Sequence, residues 1–220
     1  MHDSQSGFRP GFSTSSALID ITEDWLKSID NGECIGLVML DLRKAFDTVN
    51  HNLLIKKLPM YGLNVHVVNW FKSYLTDRSH ITCVNGSRSN EQKSVCGIPQ
   101  GSILGPLLFI MYINDLPKSV ANVKVSMYAD DTAIYYSSKD VHDIVNKMNY
   151  DLENVDNWLA KNKLCLNVDK THFMLIGTPQ RLSNLQNDDL NVNIKGFRLQ
   201  RIDHCKHLGI EVDKNLLWHN

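Results

Sequence analysis

The sequence predicts an α+β domain whose sheet is mostly antiparallel. Three observations carry that expectation: stretches with apolar residues three and four apart, short β-rich runs between them, and hairpin-type turns joining several of those runs. The chain has 220 residues, 43% of them hydrophobic, enough to bury a substantial core.

Thr14 to Asp30 reads as a helix, with Leu18, Ile21, Trp25 and Ile29 on one face, Ser or Thr to cap its start and Gly32 after its end. Ile35 to Leu40 is a short apolar run that stops at Asp41, the pattern of a strand buried on both faces. Helices follow over His51 to Leu58 and Val65 to Leu75, the second with Val67, Val68, Phe71 and Leu75 inward and Asn64 as cap. His80 to Val84 and Lys93 to Cys96 read as hairpin arms around Asn85-Gly86. Gly97 to Pro106, punctuated by glycine and proline, leads into an apolar helix ending near Asn114. Val123 to Tyr136 reads as two β arms around Ala129-Asp130-Asp131. A long amphipathic helix carries Val141, Ile144, Met148, Leu152, Val155 and Leu159. Strands are then expected over Thr171 to Ile176, Asn191 to Leu199 and His207 to Val212. No internal repeat or low-complexity stretch interrupts this order.

The composition excludes a disordered, collagen-like or basic-tail chain. Lys and Arg number 23 against 24 Asp and Glu, a net charge of −1. Nucleic-acid binders ordinarily carry a basic surplus, and only residues 160–220 have one, 9 basic against 6 acidic. The longest nearly apolar run, Ile103 to Ile113, is too short to span a bilayer, and no charged leader precedes it, so a soluble protein with no membrane partner is expected. The five cysteines (Cys34, Cys83, Cys96, Cys165, Cys205) form no C-x-x-C pair and read as buried reduced thiols. In His204-Cys205-Lys206-His207 neighbouring side chains alternate between strand faces, which suits one zinc ion poorly.

Three aspartates break apolar surroundings. Asp41 ends a buried strand, and Asp130 and Asp131 share a tight turn between arms that read as buried. A polar hairpin tip would explain two turn aspartates, but adjacent carboxylates in a dry setting repel each other. A hard divalent cation such as Mg²⁺ removes that conflict, and a sheet joining Asp41 to Asp130 could hold two ions for phosphoryl or nucleotidyl transfer.

Neighbouring segments sharpen this reading. Asp41-Leu-Arg-Lys-Ala-Phe46-Asp47, Ile98-Pro99-Gln100-Gly101-Ser102, Tyr128-Ala129-Asp130-Asp131, Leu166-Asn167-Val168-Asp169-Lys170-Thr171 and His207-Leu208-Gly209-Ile210 occur in that order. Together they resemble the ordered motifs of reverse transcriptases. The closer resemblance is to non-LTR (LINE-type, jockey-like) retrotransposons, through Gln5-Ser6-Gly7-Phe8-Arg9-Pro10-Gly11, Leu107-Leu108-Phe109 with Tyr112 to Pro117, and Leu208-Gly209-Ile210 with Asp213, Leu216 and Trp218.

The resemblance implies a right-hand polymerase palm, an antiparallel sheet backed by helices, with partial fingers and the thumb missing. It divides the single domain 1–220 into a pre-palm helix region (1–34), a palm (35–176) with a fingers-side insertion at about 50–97, and a primer-grip region (177–220). It implies RNA-directed DNA polymerase activity, with an RNA template, a DNA primer and dNTPs as partners. Two Mg²⁺ ions, replaceable by Mn²⁺, are implied at Asp41 and Asp130 with the Leu42 carbonyl, and Asp131 orients primer or metal. Phe46 is implied as a gate against the 2′-hydroxyl, and Gln100 and Gly101 as packing under the nascent base pair. Lys170 is implied as proton donor to pyrophosphate, and Tyr128, His207, Leu208 and Gly209 as primer or template contacts. A nuclear or cytoplasmic location follows from the family alone. Two further readings stay open: an inert relic or domesticated nucleic-acid-binding module of the same fold, and a related palm polymerase. RNA-dependent RNA polymerases are one such relative and group II intron maturases another; the former carry aspartate where this chain has Phe46. On the polymerase reading, bound metal adds local positive charge and the basic surplus belongs to fingers and thumb, so neutrality no longer counts against it.

Overall fold

The computed structural model describes residues 1–183 and 190–217, so Trp218 lies outside the described residues. The chain opens with α1 (Thr14–Asp30), β1 (Cys34–Leu40), α2 (His51–Lys57) and α3 (Val65–Leu75). Four two-residue strands follow: β2 (Ser79–His80), β3 (Cys83–Val84), β4 (Ser87–Arg88) and β5 (Gln92–Lys93). Next come α4 (Leu104–Ile113), β6 (Lys124–Tyr128), β7 (Asp131–Ser138), α5 (Val141–Lys161), β8 (His172–Ile176) and α6 (Pro179–Ser183). The last strands are β9 (Asn193–Ile194), β10 (Phe197–Arg198), β11 (Gln200–Arg201), β12 (His204–His207) and β13 (Ile210–Asp213).

Local chemistry sets the helix starts. Ser13 and Ser16 form a reciprocal capping box at α1. The Asn64 side chain accepts from the Val67 N–H at 3.1 Å, and that of Asp140 from the His142 N–H at 2.9 Å.

The main sheet has five strands in the order β11-β8-β1-β7-β6. β1 pairs antiparallel with both β7 and β8, β6 pairs antiparallel with β7, and the short edge strand β11 runs parallel to β8. The central β1 is covered on both faces. Val38 and Leu40 join Leu54, Leu108, Ile144, Met148 and Leu152 from α2, α4 and α5. Ile35 and Leu37 join Ile21 and Trp25 of α1 and Val212 of β13. Full burial of each such side chain contributes about 1.5–3 kcal/mol. Asp151, buried in α5, accepts the backbone N–H groups of Ala121, Asn122 and Val123 at 2.9, 2.6 and 2.9 Å, which ties down the loop leading into β6.

Several expectations change. Asn85-Gly86 turns β3 directly into β4, and β2 pairs with β5 outside that hairpin; the arms are thus nested rather than running to Cys96. Val67 is exposed, because α3 packs through Phe71 and Leu75. The helix at His51 ends at Lys57, and Pro59 starts a tighter 3₁₀ turn over Leu58–Tyr61. His207 to Val212 is a hairpin, turning at Leu208 and Gly209 with φ of 47° and 94°; Asn191 to Leu199 likewise folds back as β9 and β10. All five thiols are free, but only Cys34 is buried; Cys83, Cys96 and Cys165 are exposed and Cys205 half-buried. Among the described residues no helix is long and apolar enough to cross a membrane.

Candidate active site

β1 and β7 are neighbours with Leu40 opposite Thr132, so Asp41 leaves β1 beside the point where Asp131 enters β7. Tyr128 and Asp131 face each other across the β6–β7 hairpin, leaving Ala129 and Asp130 as its two-residue tip. The sheet thus brings Asp41, Asp130 and Asp131 together. Their setting is wetter than expected. Val125 and Met127 of β6, Thr132 to Tyr135 of β7 and Ala129 of the tip are buried, but Asp130 and Asp131 are exposed and Asp41 half-buried. Desolvation, then the charges of Asp130 and Asp41, push the Asp131 carboxyl above its ordinary range. Among the described residues no salt bridge reaches any of the three. Hard oxygen donors sharing uncompensated charge fit a divalent cation. Among the described residues no three His, Cys, Asp or Glu side chains converge closely enough to hold one unaided.

Two backbone junctions fix the carboxylates. After β1, the Arg43 N–H donates to the Cys165 carbonyl and the Asn167 N–H to the Asp41 carbonyl, both at 2.8 Å. This leaves the Leu42 carbonyl outside the backbone hydrogen bonds among the described residues. The buried Thr171 hydroxyl accepts the Asp41 N–H at 3.2 Å. The second junction joins the segments of Phe46 and Gln100. Ile98 and Gly97 donate to the carbonyls of Phe46 and Val49 at 2.9 and 2.8 Å, and the Gln100 side-chain amide donates to Asp47 at 2.8 Å. Gly97 has φ +85°, and a Cβ there would lie 2.7 Å from the Asp47 carbonyl oxygen, so only glycine permits this approach.

Phe46 is half-buried with its ring stacked on Phe109, centroids 4.2 Å apart. Gln100 is exposed, and Gly101 (φ +75°) has open space where a side chain would be. Tyr128 is half-buried beside the aspartate tip. Lys170 is exposed at the end of a short turn begun at Val168, just past Asn167. The turn His207-Leu208-Gly209 stands apart: its hairpin packs on the α1 face of the sheet, and among the described residues no hydrogen bond links it to the aspartates. His207 is buried, and burial pulls its imidazole down to a pKa of about 4.

Sequence reasoning gave no role to Thr171, Asp47 or Gln5. All three lie inside the motifs named above, yet each acts across a long sequence gap. Gln5 is wholly buried, and its side-chain oxygen accepts the Ala129 N–H at 3.0 Å.

A family profile described as reverse transcriptase (RNA-dependent DNA polymerase) matches residues 1–212. The chain is 33% identical over 227 residues to the probable RNA-directed DNA polymerase from transposon BS of Drosophila melanogaster, covering 97% of this chain and 24% of that protein. It is 27% identical to the RNA-directed DNA polymerase from mobile element jockey of the same species, covering 96% and 23%. The chain thus spans about a quarter of the length of these curated relatives. In fold it matches telomerase from Candida tropicalis, solved with a fragment of telomeric RNA, at a TM-score of 0.64 and 12% identity, over 98% of this chain and 33% of that one. With its motifs in order and the profile matched along nearly its whole length, the chain belongs to the reverse transcriptase family, as a domain of the non-LTR, LINE type.

Proposed function

We propose that this domain is the polymerising palm of an RNA-directed DNA polymerase, extending a DNA primer on an RNA template with dNTPs. The observation that carries the reading is the meeting of Asp41 with Asp130 and Asp131 at adjacent strand ends, with no cation among the described side chains to neutralise them.

Asp41, Asp130 and the Leu42 carbonyl, which accepts no backbone hydrogen bond among the described residues, would hold two Mg²⁺ ions, with Mn²⁺ as a substitute and the remaining ligands drawn from the substrate's phosphates. Bound there, the metal supplies the charge that makes the primer 3′-hydroxyl acidic and stabilises the leaving pyrophosphate. The 3′-oxygen would attack the α-phosphorus of the dNTP, forming the new phosphodiester bond as the bond to pyrophosphate breaks, with the hydroxyl proton passing to solvent water. Asp131, its carboxyl pushed up by desolvation and then by the charges of Asp130 and Asp41, orients primer or metal. Lys170, on the turn anchored to Asp41 through Asn167, donates a proton to pyrophosphate.

Phe46 excludes the 2′-hydroxyl, a role supported by its ring being braced from behind by Phe109. Gln100, tethered to Asp47, and the open Gly101 lie under the nascent base pair. Tyr128 and the Leu208-Gly209 turn guide the primer and template, while His207, buried beneath that turn, supports it from inside rather than touching the strands. The domain works in the nucleus or cytoplasm.

Primer extension on an RNA template tests the reading, with dNTPs, Mg²⁺ and the chain fused to the fingers and thumb segments of a jockey relative. DNA product that vanishes with EDTA supports it. No product, while the jockey relative itself extends the primer, contradicts it.

A further inference from the structure

The segment ahead of α1 is bound directly to the aspartate hairpin. Ser4 and Ser6 exchange backbone hydrogen bonds with Met127 of β6, the Met127 N–H donating to Ser4 at 2.7 Å and the Ser6 N–H to Met127 at 2.9 Å. This parallel bridge centres on Gln5 and adds a strand-like strap along the outer edge of β6. The Gln5 side chain then reaches past the edge. Its Oε1 accepts the Ala129 N–H at 3.0 Å and the Gly7 N–H at 2.7 Å, joining the strap to the tip.

The tip needs such support. Ala129 is buried with φ +57°, a left-handed conformation that alanine adopts at a cost. Its N–H belongs to a two-residue tip, where the hairpin ladder supplies no partner, and Gln5 is the acceptor that satisfies it. Gly7 closes against the same atom: a Cβ there would lie 2.3 Å from the Ala129 nitrogen and 2.9 Å from the Tyr128 carbonyl carbon. Gln5 is fully buried, so it cannot touch primer or nucleotide, and its influence on chemistry must pass through the turn.

We infer that Gln5 is a positioning residue for Asp130, its side-chain oxygen holding Ala129 in the conformation that directs the Asp130 carboxylate towards Asp41. The inference rests on the metal-site reading above. Losing the two buried hydrogen bonds to Gln5 Oε1 without changing side-chain volume loosens the tip before it unfolds the sheet, since β6 keeps its pairing with β7.

The test uses the whole chain with Mn²⁺ as the probe, read by the loss of free-ion electron paramagnetic resonance signal, beside amide hydrogen exchange. Asp130→Asn checks the site reading: unchanged Mn²⁺ binding there sinks the metal site itself. With that control losing the ion, Gln5→Met is expected to weaken Mn²⁺ binding about tenfold and to speed exchange at Ala129 by a similar factor. Exchange in β1 and β7 should stay as in the wild type, a pattern that general destabilisation would not give. Gln5→Met binding Mn²⁺ like the wild type would overturn the positioning role while leaving the site reading intact. Should Gln5→Met fail to fold, the wild-type chain decides: Ala129 exchanging about tenfold or more slowly than the tip residue Asp130 supports the bond, and equal rates overturn it.

Discussion

The Thr171 hydroxyl accepts the Asp41 N–H at 3.2 Å and donates to the Asn167 carbonyl at 2.9 Å, so one buried side chain ties the first aspartate to the turn that carries Lys170. Thr171→Val keeps the shape and leaves both backbone groups without that partner. It should lower stability by about 1–3 kcal/mol in urea unfolding and slow nucleotide incorporation, while Thr171→Ser restores both. Equal stability of the valine and serine variants would show that the bond is idle.

The Phe46–Phe109 stack makes the proposed sugar gate rigid. Phe46→Val should raise ribonucleotide use relative to deoxyribonucleotide use by about tenfold or more, measured as the ratio of kcat/KM values. A loss of stability with discrimination unchanged would reduce the ring to a packing element.

Acid should weaken the fold in two stages. Burial lowers His207 from an ordinary 6.5 to a pKa of about 4, so the unfolded chain binds a proton that the folded chain refuses. Between those values stability falls as pH falls, by up to about 1.4 kcal/mol per pH unit. Burial alone would raise the Asp151 carboxyl, but the N–H groups of Ala121, Asn122 and Val123 outweigh it and leave it below its ordinary range. Its contribution is therefore present above the unfolded carboxylate pKa and is lost as pH falls through the lowered folded one. Stability measured across pH should show His207→Leu flattening the upper stage and Asp151→Asn the lower. An unaltered profile in either variant would refute that assignment.

Much of this frame was legible in the residues. Helices α1, α3 and α5 announce themselves through apolar spacing and through caps such as Ser13 and Asn64, which act within one turn of their own position. The aspartates were legible as charges interrupting apolar runs. Pairings over long gaps were not: Thr171 reaches Asp41 across 130 residues, Gln100 reaches Asp47 across 53, and Gln5 reaches Ala129 across 124. Periodicity carries no information about such partners. Asn85-Gly86 gave the turn correctly, but nothing local fixed how far its arms run before β2 and β5 take over. Val67 shows the converse limit, since its exposure depends on which face of α3 finds a neighbour.

In the proposed mechanism Asp41 and Asp130 act together on the primer terminus. Its most direct test is single-nucleotide incorporation on an RNA template with Mg²⁺, comparing the fused chain with its Asp130→Asn variant. Asparagine preserves the tip's shape and removes the charge, so incorporation should fall by about a thousandfold or more with the fold intact by circular dichroism. Incorporation by Asp130→Asn at the wild-type rate would rule out a joint role for Asp41 and Asp130.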